Sequence, residues 1–163
     1  MTLFAGCEKT SAPAASPAPA ATNLVNATRA QPKLQTIKLW LGAQELTAEL
    51  AARPKEIMTG MMFRQTMEEH EGMLFIFAGA DRRSFWMKNV SLPLSCAYLD
   101  SDGVILEIHD LKPLEEKPVE SASDKIQYVL ETRQGWFERN KIAVGTLVRT
   151  EKGSLRETFF RRR

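Results

Sequence analysis

From Gly60 to Leu94 the chain sets short, dense apolar runs between polar breaks: Gly60-Met-Met-Phe-Arg64, Gly72-Met-Leu-Phe-Ile-Phe77 and Ser84-Phe-Trp-Met-Lys-Asn-Val-Ser-Leu-Pro-Leu94. Runs this short match buried strands better than core helices, and none approaches the ~18 residues needed to cross a bilayer. The pattern limits the fold to many short elements around one core. It also carries Arg64, Lys88 and Asn89 among large apolar residues. A plain core does not need those groups, whereas a binding site or a buried ion pair does.

The rest of the chain follows the same pattern. Leu34, Ile37, Leu39 and Leu41 give a mostly alternating strand with Trp40 on its other face. Gly42-Ala43 is a turn, and residues 46–50 return as a second strand. Pro54 suits a first helical turn, and Ile57, Met58, Met61 and Met62 follow at helical spacing, so a short helix is expected over 54–62. Gly60 weakens that helix unless something packs closely on its backbone. Strands are expected over 73–77, 84–89, 94–99, 104–110, 126–131 and 145–150, with Asp100-Ser-Asp-Gly103 as a hairpin turn. Residues 134–140, around Trp136-Phe137, form a short helix or turn.

This set predicts a mainly β, α+β domain. Its expected form is a compact antiparallel sandwich or barrel-like unit with one or two short helices. About 120 folded residues bury an adequate core without disulfides. The expected organisation is a truncated signal-like segment at 1–7, a disordered tether at 8–32, a globular domain at 33–152 and a basic tail at 153–163.

The N-terminus reads as an address. Leu3-Phe4-Ala5-Gly6-Cys7 resembles a bacterial lipoprotein box, with Cys7 as the lipidation site. Phe4 stands where Leu is usual, and a secretory leader needs a charged start and ~7–15 apolar residues, so the true start is expected upstream of Met1. Residues 8–31 read EKTSAPAASPAPAATNLVNATRAQ, an Ala/Pro/Ser-rich stretch with too little apolar surface to fold. A lipid anchor and an extended tether together place the domain at the bacterial cell envelope, on its periplasmic or extracellular side. The competing reading is an ordinary disordered tail. Arg161, Arg162 and Arg163 form a solvated basic end, with weak contact to anionic headgroups as the alternative.

Known chemistries are mostly absent. A net charge of +2 gives no case for a nucleic-acid partner. His70 and His109 are the only histidines, and no paired His or Cys spacing supports a metal. Cys96, inside an apolar segment, is a small buried hydrophobe without an activating neighbour. Met58, Met61, Met62 and Met87 would suit Cu(I), but methionine as core filler is the better reading, since Met58, Met61 and Met62 are the apolar face a helix needs. No nucleophile elbow or phosphate-cradling glycine loop occurs, and no cofactor is implied. These absences weigh against an enzyme.

The remaining candidates are polar groups within the apolar motifs. In an extended 84–89 strand, Trp86 and Lys88 share a face, either to bind a ligand by stacking and charge or as a lysine stem lying over an indole. Arg64 caps the methionine helix, pairs with Glu131, which interrupts the apolar Tyr128-Val129-Leu130, or joins Lys88 in an anion clamp.

Taken in order, Gly60-Met-Met-Phe-Arg64, Glu71-Gly-Met-Leu-Phe75, Ser84-Phe-Trp-Met-Lys-Asn89, Leu92-Pro-Leu94, Asp102-Gly-Val-Ile105, Val129-Leu-Glu131, Gly135-Trp136 and Gly145 resemble the family known as domain of unknown function 192. The resemblance spans residues 33–150. It implies a compact, mainly β, often exported domain with no established activity, and Arg64, Trp86, Lys88, Asn89 and Glu131 fall on its motif positions. Val90, Ser95 and Thr146 depart from the pattern, replacing a usual Thr and two frequent Asp residues. Those swaps remove a hydroxyl and two carboxylates and move the reading further from catalysis.

Three functions are expected in order. The first is a lipid-anchored envelope domain that binds a small ligand or another envelope component through Arg64, Trp86, Lys88, Asn89 and Glu131. The second is a hydrolase or transferase using Arg64, Lys88, Asn89 and Glu131. The third is a purely structural module.

Overall fold

The computed structural model describes residues 27–160. The expected lipidation site Cys7, most of the tether and Arg161 to Arg163 lie outside the described residues. Ten strands and three short helices follow one another: β1 (Thr36–Leu41), β2 (Gln44–Ala51), α1 (Pro54–Thr59), β3 (Glu71–Asp81), β4 (Ser84–Phe85), β5 (Leu94–Leu99), β6 (Ile105–Leu111), β7 (Val119–Glu120), β8 (Ile126–Arg133), α2 (Trp136–Arg139), β9 (Val148–Thr150), β10 (Gly153–Ser154) and α3 (Leu155–Phe159). The fold is mainly β, as the pattern of short runs requires.

Eight strands form one sheet in the order β10-β9-β1-β2-β3-β8-β5-β6. The expected antiparallel pairing holds at most neighbours, but β2 and β3 run parallel, so the sheet is mixed. The reason is α1: a helix between two adjacent strands returns the chain to the starting end, and the next strand then runs the same way. The sheet does not close as a barrel. It does curl, because an antiparallel bridge between Val104 and Leu147 joins the start of β6 to the start of β9 from the far side of the sheet. Backbone bonds from Val148 to Gly103 and from Ile105 to Thr146 hold the same seam, at 2.9 Å each.

Turns fall where the sequence places them. Gly42 (φ 62°) takes the left-handed conformation of the β1–β2 loop. The Asp100 carboxylate accepts from the Asp102 and Val104 amides at 3.0 and 2.9 Å, closing the β5–β6 turn.

Two differences concern length. The expected 84–89 strand is only Ser84–Phe85, paired with β7, and Lys88 and Asn89 form a turn instead. Asn89 has φ 57°, which ends extended structure and which Asn tolerates. Residues 153–159, expected as part of a basic tail, form β10 and α3, because Leu155 is fully buried and Ser154 and Glu157 cap the helix reciprocally. The helix count is therefore three rather than one or two.

Both faces of the central strands are covered, so every residue of β5 is buried. Alternate side chains divide between two clusters. Leu74, Ile76, Ala97, Leu99, Tyr128 and Leu130 fill the inside of the curl with Leu39, Leu41 and Trp136. Met73, Phe75, Cys96, Tyr98 and Val129 point outward, into a second layer with Met61, Met67, Met87 and Val90. That outer layer builds the candidate site.

Candidate functional site

The outer layer has an opening of about 350 Å³. One wall is α1 and the turn after it, Ile57 to Met62, and the opposite wall is Arg82 to Trp86. Phe75, Phe77, Val90 and Glu131 complete it. Pro54 starts the helix, and the Glu56 carboxylate accepts the Ala52 and Arg53 amides at its N-terminus, at 3.1 and 2.9 Å. Gly60 ends it with φ 46°, and a Cβ there would lie 3.2 Å from the Phe75 ring. The glycine therefore lets the chain turn directly over Phe75, and this close approach offsets its cost to the helix. Gln31, near the end of the expected tether, is docked here too: its amide donates to the Glu56 and Gly60 carbonyls at 3.1 and 2.9 Å.

Glu131 is the polar group that this setting does not explain. It lies in register with Met73 on one side and Cys96 on the other, and alternation puts it on the outward face with Val129. It is 4% exposed, and its Oε2 has no hydrogen-bond partner among the described residues. Burial alone pushes its carboxyl up to about 8. An unpaired buried carboxyl costs free energy in either protonation state, so a folded chain that keeps one has a structural exception at that point. Burial also pushes up the neighbouring Cys96 thiol and Tyr98 hydroxyl, so both are neutral at physiological pH.

The structure separates the other sequence candidates. Arg64 does not reach Glu131. Its Nη2 lies 2.8 Å from Glu49 Oε2, a pair with side chains only 18% and 14% exposed, and it lines a different, polar opening with Lys33, Glu68 and Glu71. Trp86 sits at the mouth of the main opening, 41% exposed, with the Lys88 ammonium 5.2 Å from its ring centroid. Lys88 and Trp86 thus meet through the ammonium and the ring, on a turn and not on a strand. Asn89 acts through its backbone: its carbonyl accepts the Phe63 amide at 2.8 Å and ties the turn after α1 to the turn after β4. Of the five candidates, Trp86 and Glu131 line one opening; Arg64, Lys88 and Asn89 do not line it.

The sequence reading missed Arg82, Arg83, Phe77 and Phe85. Arg82 donates to the Ser121 and Ala122 carbonyls at 3.0 and 2.9 Å. Arg83 donates to the Ile126 and Gly79 carbonyls and lies 3.9 Å from the centre of the Phe77 ring. The signal was available in Asp81-Arg82-Arg83, a charged break directly before the aromatic motif. Val90, one of the three departures, is in the wall and makes it more apolar. Ser95 lies elsewhere, bonded to Asp110 and the Gly135 amide. His109 pairs with Glu107 at 3.1 Å. Among the described residues no cluster of His, Cys, Asp and Glu has the arrangement of a metal site.

Comparisons with known proteins agree with the motif order. Residues 37–150 match the model of the DUF192 family, described as Uncharacterized ACR. Nothing matches among the curated proteins. The chain is similar to a crystal structure from Sinorhizobium meliloti, described as a candidate transcription regulator, at 33% identity and TM-score 0.66, covering 71% of this chain and 92% of that one. It is also similar to a protein of unknown function from Novosphingobium aromaticivorans, at 29% identity and TM-score 0.66, covering 71% of this chain and 85% of that one. A family match over most of the folded residues, with the motif residues holding the turns and the outer layer together, establishes the relationship: the chain belongs to the DUF192 family.

Proposed function

We propose that this domain binds a small, mainly apolar organic ligand between the turn after α1 and the Trp86 segment, and that Cys7 anchors it at the bacterial cell envelope. The observation that carries the ligand reading is the unpartnered carboxyl of Glu131 in the lining of an opening rich in aromatic and methionine side chains, with Arg82 and Arg83 in one wall. Such openings, mostly apolar with a few convergent polar groups, are the usual form of small-molecule sites. Exposed Trp86 and Met58 give its mouth an apolar rim. A thermal-shift screen of small aromatic and aliphatic compounds on the full chain tests the reading, since a ligand that binds only the folded state raises its stability by mass action. The expected result is stabilisation that Trp86→Ala weakens; hits that are indifferent to this change count against the site.

The anchor reading is supported by the Leu3-Phe4-Ala5-Gly6-Cys7 box and the Ala/Pro/Ser stretch that follows. Metabolic labelling with a fatty acid tests it when the gene is expressed from an upstream in-frame start. Label lost in Cys7→Ser supports the anchor, and absence of label in the parent protein refutes it.

A hydrolase or transferase has one observation in its favour. A carboxyl with a midpoint of about 8, in the lining of an opening, has the pKa of a general acid working near neutrality. The residues grouped with it in that reading, Arg64, Lys88 and Asn89, are not in the same opening. Binding is therefore the better-supported function.

A further inference from the structure

We infer that the group seated against Glu131 is the ammonium end of an organic amine whose apolar body fills the opening behind Trp86. The inference rests on the ligand reading of this opening and names the chemistry of its occupant.

The argument starts from charge. Among the described residues, Glu131 is the only acidic one in the lining, and no cation pairs with it. The nearby arginines are committed elsewhere. Arg64 pairs with Glu49. Arg82 holds two carbonyls beyond β7 and lies 3.8 Å from Glu120. Arg83 holds two carbonyls and lies over Phe77. What the buried carboxyl lacks is a donor that carries positive charge, the partner that makes the strongest hydrogen bonds to a carboxylate.

The walls favour the same occupant. Phe75, Phe77, Phe85 and Trp86 offer rings, and aromatic faces attract cations. Trp86 already holds the Lys88 ammonium near its ring. A ligand carboxylate at the same position would set acid against acid.

The surrounding groups add a pH signature. Facing Glu131 from β5 are Cys96 and Tyr98, both held neutral by burial. From β3 it faces Met73, and across the opening lie Ile57, Met58, Met61 and Met62, none of which titrates. The other ionisable groups in the lining are the guanidinium groups of Arg82 and Arg83. Glu131 is thus the group whose ionisation changes in the neutral range. An amine that pairs with it displaces its proton, and a neutral ligand does not.

The test compares 2-phenylethylamine, 2-phenylethanol and 3-phenylpropanoate by isothermal titration calorimetry on the full chain, at about pH 6.5 and about pH 9, where an alkylammonium stays charged as lysine does. The amine is expected to bind more than tenfold tighter at the higher pH and to outrank the alcohol there by about tenfold or more, since each pH unit below the carboxyl's midpoint costs about tenfold. Proton release at about pH 6.5, read from buffers of different ionisation enthalpy, should accompany the amine alone. Glu131→Gln, near-isosteric and checked for folding by thermal melting, should abolish the preference and leave alcohol binding in place. Equal binding of amine and alcohol, or tighter binding of the carboxylate, overturns the amine inference while the ligand reading stands. If none of the three binds, both readings fall.

Discussion

Arg64 is paired with Glu49 across 2.8 Å, and this bond leaves Glu131 without a counter-ion. Glu49 also accepts the Leu34 amide at 2.6 Å, and Arg64 donates to the Pro32 carbonyl at 3.3 Å. The arginine therefore fastens the segment before β1 to β2. Its place in the motif is explained by that fastening, and the functional question passes to Glu131.

Removing Glu49 should destabilise the domain. Glu49→Ala leaves the largely buried guanidinium without its carboxylate and the Leu34 amide unpaired, at a cost of about 2 kcal/mol. Arg64→Ala should cost a similar amount, and the double variant less than the sum, since each change removes the same bond. Urea denaturation of the four proteins checks this; additive losses would show that the two residues act separately.

Glu131 should make stability depend on pH. Its carboxyl is raised in the folded chain from an ordinary 4.5 to about 8. The folded state therefore binds more protons than the unfolded state across that window, and its stability falls as pH rises from about 4.5 toward 8. The full loss is roughly 3 to 5 kcal/mol above the window. Glu131→Gln should remove this slope and be the more stable protein at alkaline pH. Melting temperatures across the range, read for both proteins, decide it; parallel curves would refute the assignment.

Gly60→Ala should cost about 1 to 3 kcal/mol, because φ 46° with ψ −129° is a sparsely populated conformation for a residue with a Cβ. The added Cβ also presses on the Phe75 ring, at 3.2 Å. Denaturant midpoints give the measurement. A neutral result would mean that the turn relaxes away from Phe75.

Trp86→Ala should leave stability within about 1 kcal/mol, because the indole is 41% exposed at the mouth of the opening. Any compound found to bind should lose affinity in this variant. Unchanged affinity together with unchanged stability would place the ligand elsewhere.

Cys96 should resist alkylation in the native protein. It is fully buried, and burial keeps its thiol protonated. Peptide mapping after iodoacetamide treatment should show modification at Cys96 only under denaturing conditions.

The strands were legible where apolar spacing alone decides them. Leu39 and Leu41, the Asp100–Gly103 turn and the 94–99 and 126–131 runs were placed correctly, because alternation and turn chemistry act over a few residues. Length was harder to read. Residues 84–89 have strand composition, but Asn89 takes a left-handed conformation that lets its carbonyl meet Phe63, a contact 26 positions away. The third helix was missed because the basic residues around Leu155 conceal a single buried anchor and a capping pair.

The sequence by itself determined a mainly β domain, its family and the five motif residues, since these follow from local order and spacing. Tertiary structure decided which of those residues work together. The parallel β2–β3 pairing comes from a helix folded back onto the sheet, and the curl comes from a seam between Val104 and Leu147. The choice of Glu49 over Glu131 as the partner of Arg64 depends on which strands become neighbours and which face each side chain takes. No linear spacing encodes that, so an isolated, buried carboxyl in the opening that Trp86 also lines is visible only in the folded chain.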